Sequence, residues 1–124
     1  EGFRMVNNGG YGDFHATANI IGYSSTPSDE RLKENINNIE NGLDVIEQLR
    51  PVSYTWKEMM NKGDDFGLIA QEVEKVLPEL VYETQLIQTG DDEKYKTVAY
   101  ERLVPFLIKS IQELNNKIKE LENK

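Results

Sequence analysis

A serine hydroxyl and a lysine amine stand five residues apart in Pro27-Ser28-Asp29-Glu30-Arg31-Leu32-Lys33. Serine is a weak nucleophile until a base takes its proton. A lysine can be that base when desolvation makes it give up its own proton. Ser-Lys pairs are one variant of the nucleophile–base logic of hydrolases. On a continuous helix, five residues rotate by about 140° beyond a full turn, so the two groups would point apart. They meet only if Ser28 lies before the helix and the chain folds back. The same residues also fit an ordinary helix start. Thr26 would be the N-cap, Pro27 the first helical residue and Asp29 the acid at N3, or Ser28 would itself cap. In that reading Lys33 is only a solvated charge.

The elements around this stretch must come from 124 residues, enough for one compact domain with an appendage at each end. The chain starts at Glu1 rather than Met, so we expect a piece cut from a longer protein. Hydrophobic residues make up 38% of the chain and mean hydropathy is −0.61. Such a thin core predicts oligomerisation. A net charge of −8 argues against a nucleic-acid partner. No apolar run approaches the roughly 20 residues of a membrane span, so no membrane partner is expected. Without cysteine there is no disulfide, and the one histidine, His15, has no second His or Cys with which to share a metal. Neither a metal nor a cofactor is expected, and no phosphate-cradling glycine loop occurs.

Residues 1–27 read as the end of a β-rich upstream region, with a turn at Asn7-Asn8-Gly9-Gly10 and short strand character from Phe14 to Tyr23. From Asp29 to Arg50 apolar spacing predicts helix in two pieces, Leu32-Ile36-Ile39 and Leu43-Ile46-Leu49, interrupted at Asn41-Gly42 and stopped by Pro51. Val52 to Trp56 alternates as a strand, with either Val52, Tyr54 and Trp56 or the opposite face inward. A loop at Lys62 to Asp65 follows, then a short helix carrying Ile69, Val73 and Val76 or Leu77 inward, ended by Pro78. Glu79 to Gln88 and Tyr95 to Tyr100 read as strands joined at Gly90 to Lys94, a hairpin expected to project toward the lead-in or a neighbouring subunit. In the last stretch Val104, Leu107, Ile111, Leu114, Ile118 and Leu121 alternate steps of three and four, a heptad seam pointing to a parallel oligomer. Branched residues at a with Leu at d lean toward dimers, though so few heptads decide little.

Four blocks in order resemble one family. They are Ser28-Asp29-x-Arg31-Leu32-Lys33, then Leu49-Arg50-Pro51-Val52-x-Tyr54-x-Trp56, then Gly67-Leu68-Ile69-Ala70-Gln71-Glu72-Val73 with Pro78-Glu79-Leu80-Val81, and Val98-x-Tyr100-x-x-Leu103-Val104-Pro105. Together they are similar to the C-terminal intramolecular chaperone domains of bacteriophage tail fibres, tailspikes, endosialidases and neck appendages, the self-cleaving S74 peptidase class. The resemblance implies a single-turnover serine peptidase that trimerises, helps the upstream stalk of its own polypeptide to fold, and cuts itself off. Carried over, Ser28 is the nucleophile, Lys33 the general base, and Pro27–Ser28 the scissile bond. Asp29 and Arg31 are candidate supporting residues: Arg31 would depress the lysine pKa or orient the loop, and Asp29 would oppose that effect.

The implied fold is α+β, a small mixed domain of short strands and helices at residues 28–102. It follows a β-rich stalk remnant at 1–27 and precedes a helix at 103–124 that forms a parallel trimeric coiled coil. The implied setting is the host cytoplasm during virion assembly, with the upstream part retained in the tail or appendage and the chaperone released after cleavage. The alternative is a non-cleaving trimerisation cap, in which Ser28 is only a helix cap.

Overall fold

The computed structural model describes residues 25–124 and, before them, the strands β1 (Phe3–Met5) and β2 (Phe14–Ala16). The turn expected at Asn7-Asn8-Gly9-Gly10 lies outside the described residues. The chain divides into two units, Glu1–Asn37 and Asn38–Lys124.

In the first unit β1 and β2 pair antiparallel, Phe3 with Ala16 and Met5 with Phe14, which places His15 opposite Arg4. Further on, one 3-10 turn covers Glu30–Leu32. Of the two helical pieces expected from Asp29 to Arg50, the first is reduced to this turn and the second forms as the helix Gly42–Glu47. Residues 33–41 carry no helix, and Asn35 and Asn41 both adopt left-handed backbone, with φ of 56° and 59°. Asparagine tolerates that region better than most side chains, and one left-handed residue ends an α-helix. The run Asn35-Ile36-Asn37-Asn38-Ile39 also mixes Asn with β-branched residues, both poor helix formers.

The second unit is a small mixed α/β domain. Its elements are α1 (Gly42–Glu47), β3 (Val52–Thr55), β4 (Asp64–Gly67), α2 (Ala70–Val76), β5 (Val81–Gln85), β6 (Lys94–Val98) and α3 (Val104–Glu122). The strands form two separate antiparallel hairpins, β3 with β4 and β5 with β6. Two-stranded hairpins are marginal alone, so they need helices to pack on. The buried core supplies that support: Val73, Leu77, Leu80 and Leu103, flanked by Val45, Ile46, Leu49, Leu68, Val76, Val81, Val98 and Phe106. On β3 the half-buried face is Val52, Tyr54 and Trp56, which settles the alternation left open by the sequence. Between β5 and β6, none of residues 85–96 is fully buried.

Helix α3 has two faces with different fates. Phe106, Lys109, Ser110 and Glu113 turn toward α1, and Glu113 Oε1 accepts from the backbone N–H of Leu43 at 2.8 Å. Gly42 is buried there because α3 passes so close that a Cβ would lie 2.8 Å from that of Lys109. Gly42 is therefore the first residue of α1, small by necessity, where the sequence suggested an interruption. The heptad residues lie on another face. Val104, Leu107, Ile111, Leu114, Ile118 and Leu121 are all exposed in the single chain, from 44% at Leu107 to 67% at Ile111.

Candidate functional site

The site begins with a reversal of the backbone inside six residues. Asp29 holds extended backbone (φ −71°, ψ 133°) before the 3-10 turn, and Lys33 is extended again after it (φ −121°, ψ 153°). The turn is closed by the N–H of Leu32 donating to the Asp29 carbonyl at 3.0 Å and that of Lys33 to the Glu30 carbonyl at 3.1 Å. Ser28 thus stands ahead of the turn and Lys33 behind it. Lys33 Nζ donates to Ser28 Oγ at 2.7 Å. Both residues are exposed in the single chain.

The cap of the turn is Asp29, not Thr26 or Ser28. Its Oδ1 accepts from the Arg31 N–H at 2.9 Å and from Arg31 Nε at 3.1 Å, while Oδ2 accepts from Arg31 Nη2 at 2.9 Å. The Arg31 guanidinium, followed by its backbone N–H, holds the Asp29 carboxyl below the usual range, and the carboxylate in turn raises Arg31. Pro27, the other side of the expected scissile bond, is exposed and outside regular structure.

Other residues of the four sequence blocks pair with one another across the second unit. Arg50 forks onto Glu72, with Nε to Oε1 at 3.2 Å and Nη2 to Oε2 at 2.6 Å. The Tyr100 hydroxyl accepts from the Leu68 N–H at 2.8 Å. A Cβ at Gly67 would lie 2.5 Å from that hydroxyl, so glycine is what admits it. Reading the blocks as a linear motif left these residues without a role. The signal was present: each partner sits in a different block. They hold the domain rather than carry chemistry.

Among the described residues no cluster of His, Cys, Asp or Glu could hold a metal ion, and no helix is long and apolar enough to cross a membrane. An open concavity of about 460 Å³ lies on the β3–β4 hairpin, lined by Ser53, Tyr54, Thr55, Asp64, Asp65 and Phe66. It offers neither a nucleophile–base pair nor a closed wall.

Comparison with known proteins gives a match that starts on Ser28 itself. Residues 28–82 match the S74 peptidase family, described as chaperone of endosialidase. The chain is also similar to the long tail fiber protein Gp37 of Enterobacteria phage K3, 37% identical over 127 residues that cover 98% of this chain and 10% of that protein. The Gp37 of Enterobacteria phage T2 is likewise 37% identical, with 98% and 9% covered. That of Salmonella phage S16 is 27% identical over 135 residues, with 98% and 18% covered. The chain thus spans about a tenth of the length of the first two.

Proposed function

Since residues 28–82 belong to the chaperone-of-endosialidase family of S74 peptidases, we propose that this chain is the intramolecular chaperone of a phage tail fibre that trimerises and then releases itself by cutting Pro27–Ser28. The observation that carries the reading is the 2.7 Å contact of Lys33 Nζ with Ser28 Oγ, set directly after that bond. In the reaction Ser28 Oγ gives its proton to a neutral Lys33 amine and bonds to the carbonyl carbon of Pro27. The C–N bond breaks, and the Ser28 nitrogen leaves as an amine after taking up a proton. An ester then links Pro27 to Ser28 Oγ, and water hydrolyses it to a Pro27 carboxylate and the free hydroxyl. Water-exposed lysine holds its proton, so the exposed pair needs drying that assembly would supply.

The uncovered seam on α3 supports the assembly. Six large apolar residues at heptad spacing on one exposed face are what a parallel coiled coil buries. Three chaperone domains joined this way hold three fibre ends in register, which raises their local concentration. Interlocked β-structure forms slowly through non-local contacts, and it is trapped kinetically once the chaperone has gone. The reading places the upstream part in the virion tail, as in the Gp37 relatives, with the chaperone acting in the host cytoplasm during assembly and then released. No cofactor, nucleic acid or membrane takes part.

The test is intact mass in denaturant of the chain expressed with its lead-in. The expected result is a new N-terminus at Ser28, appearing only after folding, from a species that sediments as a trimer. A whole chain from a folded trimer would leave the trimerisation cap as the function. A cut elsewhere would remove Ser28 from the account.

A further inference from the structure

We propose that Asp29 and Arg31 are positioning residues that latch the turn on which Ser28 meets Lys33, with Asp29 acting as a cap and not as a charge in the chemistry. The inference rests on the self-cleavage reading above. For Lys33 Nζ to reach Ser28 Oγ the chain must reverse within five residues, and it does so on one 3-10 turn. A single such turn closes few hydrogen bonds and does not hold itself. Its own bonds are the two from Leu32 and Lys33. The N–H of Arg31 has no carbonyl to use within the turn, and Asp29 Oδ1 takes it. The Arg31 fork then grips the same carboxylate from the side, through Nε and Nη2. Bidentate pairing of this kind fixes geometry as well as charge.

Two consequences separate this from the other roles open to these residues. Serine, aspartate and threonine all serve as caps, and a Ser28 that capped would spend its hydroxyl on the backbone. Because Asp29 caps instead, the Ser28 hydroxyl is left to Lys33. Secondly, Asp29 and Arg31 neutralise each other in direct contact, so neither presents a net charge to Lys33. The electrostatic roles therefore cancel, and geometry remains. The pair is exposed, 88% for Arg31 and 45% for Asp29, so removing it should leave the fold and the assembly intact.

The experiment follows cleavage of the full chain over time by intact mass, beside sedimentation and the thermal midpoint. Asp29→Ala is expected to cut about tenfold more slowly with assembly and midpoint unchanged. Asp29→Asn, which keeps the cap but not the carboxylate that takes both arms of the Arg31 fork, should recover the part of the rate that the cap supplies. Arg31→Ala, which also keeps the cap and loses the fork, should match Asp29→Asn. The latch is overturned if Asp29→Asn is as slow as Asp29→Ala, if the pH midpoint of Asp29→Asn with Arg31→Gln, which keeps the cap and leaves the pair neutral as in wild type, moves by about a unit, if Asp29→Ala cuts as fast as wild type, or if Asp29→Ala fails to assemble. A wild-type chain that assembles yet stays whole removes the cleavage reading, not the latch. The temperature coefficient of the Arg31 amide shift then decides: small in wild type and Asp29→Asn but steep in Asp29→Ala supports the latch, and the same in all three overturns it.

Discussion

The turn at Ser28–Lys33 and the core of residues 38–124 are built on opposite principles. In the turn, no bonded partners lie more than five positions apart. In the second unit the decisive contacts span 22 positions for Arg50–Glu72, 32 for Leu68–Tyr100 and 70 for Leu43–Glu113. A local turn brings the Ser28 hydroxyl and the Lys33 amine together, and both stay exposed. A core can exclude water but must first be assembled from distant segments. Under the proposed cleavage, local geometry and a separately assembled core would suit a cut that waits for folding.

The sharpest way to break the comparison is to change the turn and watch the core. Ser28→Ala, Lys33→Ala and Lys33→Arg are each expected to abolish cleavage, the last because guanidinium stays protonated. All three should leave the thermal midpoint where it was, since exposed substitutions usually cost less than about 0.5 kcal/mol. A lowered midpoint would tie the turn to the core. Next in size is the seam. Ile111→Asp with Leu114→Asp should dissociate the proposed trimer in sedimentation, because charge at those positions cannot be buried unpaired. Both residues are exposed within one chain, so far-ultraviolet circular dichroism should still report a folded unit.

Changing the core should do the reverse. Leu80 is 1% exposed beside Val73, and Leu80→Ala is expected to cost about 2–5 kcal/mol in denaturant unfolding. The contact between Lys33 and Ser28 should survive in that variant wherever it still folds.

The same contrast explains what was legible in the sequence. Local features were: the short helix with Val73 inward, ended by Pro78, though not the choice between Val76 and Leu77; the period-two alternation from Val52 to Trp56, though not which face turns inward; and the hairpin around Gly90. Spacing also stated the condition under which Ser28 and Lys33 can meet. The failure at residues 33–41 was a periodicity error. Leu32, Ile36 and Ile39 imitate a helical stripe, while the asparagines between them take left-handed backbone that no hydrophobic pattern reports. Gly42 looked like a breaker because the Lys109 stem that requires it lies 67 positions on. The cap was misassigned because Thr26, Ser28 and Asp29 all satisfy the capping preference, and only geometry chooses among them.

A smaller effect tests one long-range joint. Gly67→Ala would put a methyl 2.5 Å from the Tyr100 hydroxyl and should cost about 1–3 kcal/mol. In Tyr100→Phe the 2.5 Å clash disappears, leaving the Tyr54 hydroxyl at 3.2 Å, but the Leu68 N–H loses its acceptor. The two changes together should therefore cost less than their sum, and a double-mutant cycle in denaturant measures the coupling. Strict additivity would mean that the hydroxyl is not what Gly67 makes room for.

The smallest expected effect is in acid, where both regions carry a carboxylate held down by an arginine. Asp29 is lowered by Arg31 in the turn, and Glu72 by Arg50 in the second unit. A carboxylate whose folded value is depressed contributes stability above its unfolded value and loses it as pH falls through the folded value. Acidification below the ordinary carboxylate range should therefore weaken both, through protonation of groups that accept hydrogen bonds as anions. The two losses should register differently. Glu72 joins segments 22 positions apart, so its protonation should lower the denaturant midpoint of the unit by a small, salt-sensitive amount. Asp29 bonds only two residues away, so its protonation should loosen the turn and leave that midpoint alone. Glu72→Gln is accordingly expected to remove part of the acid dependence of unfolding, and Asp29→Asn none of it. Carboxyl carbon shifts followed by NMR would assign each titration. If Asp29→Asn flattened the unfolding curve as Glu72→Gln does, the turn would be part of the cooperative core and the contrast between the two regions would fail.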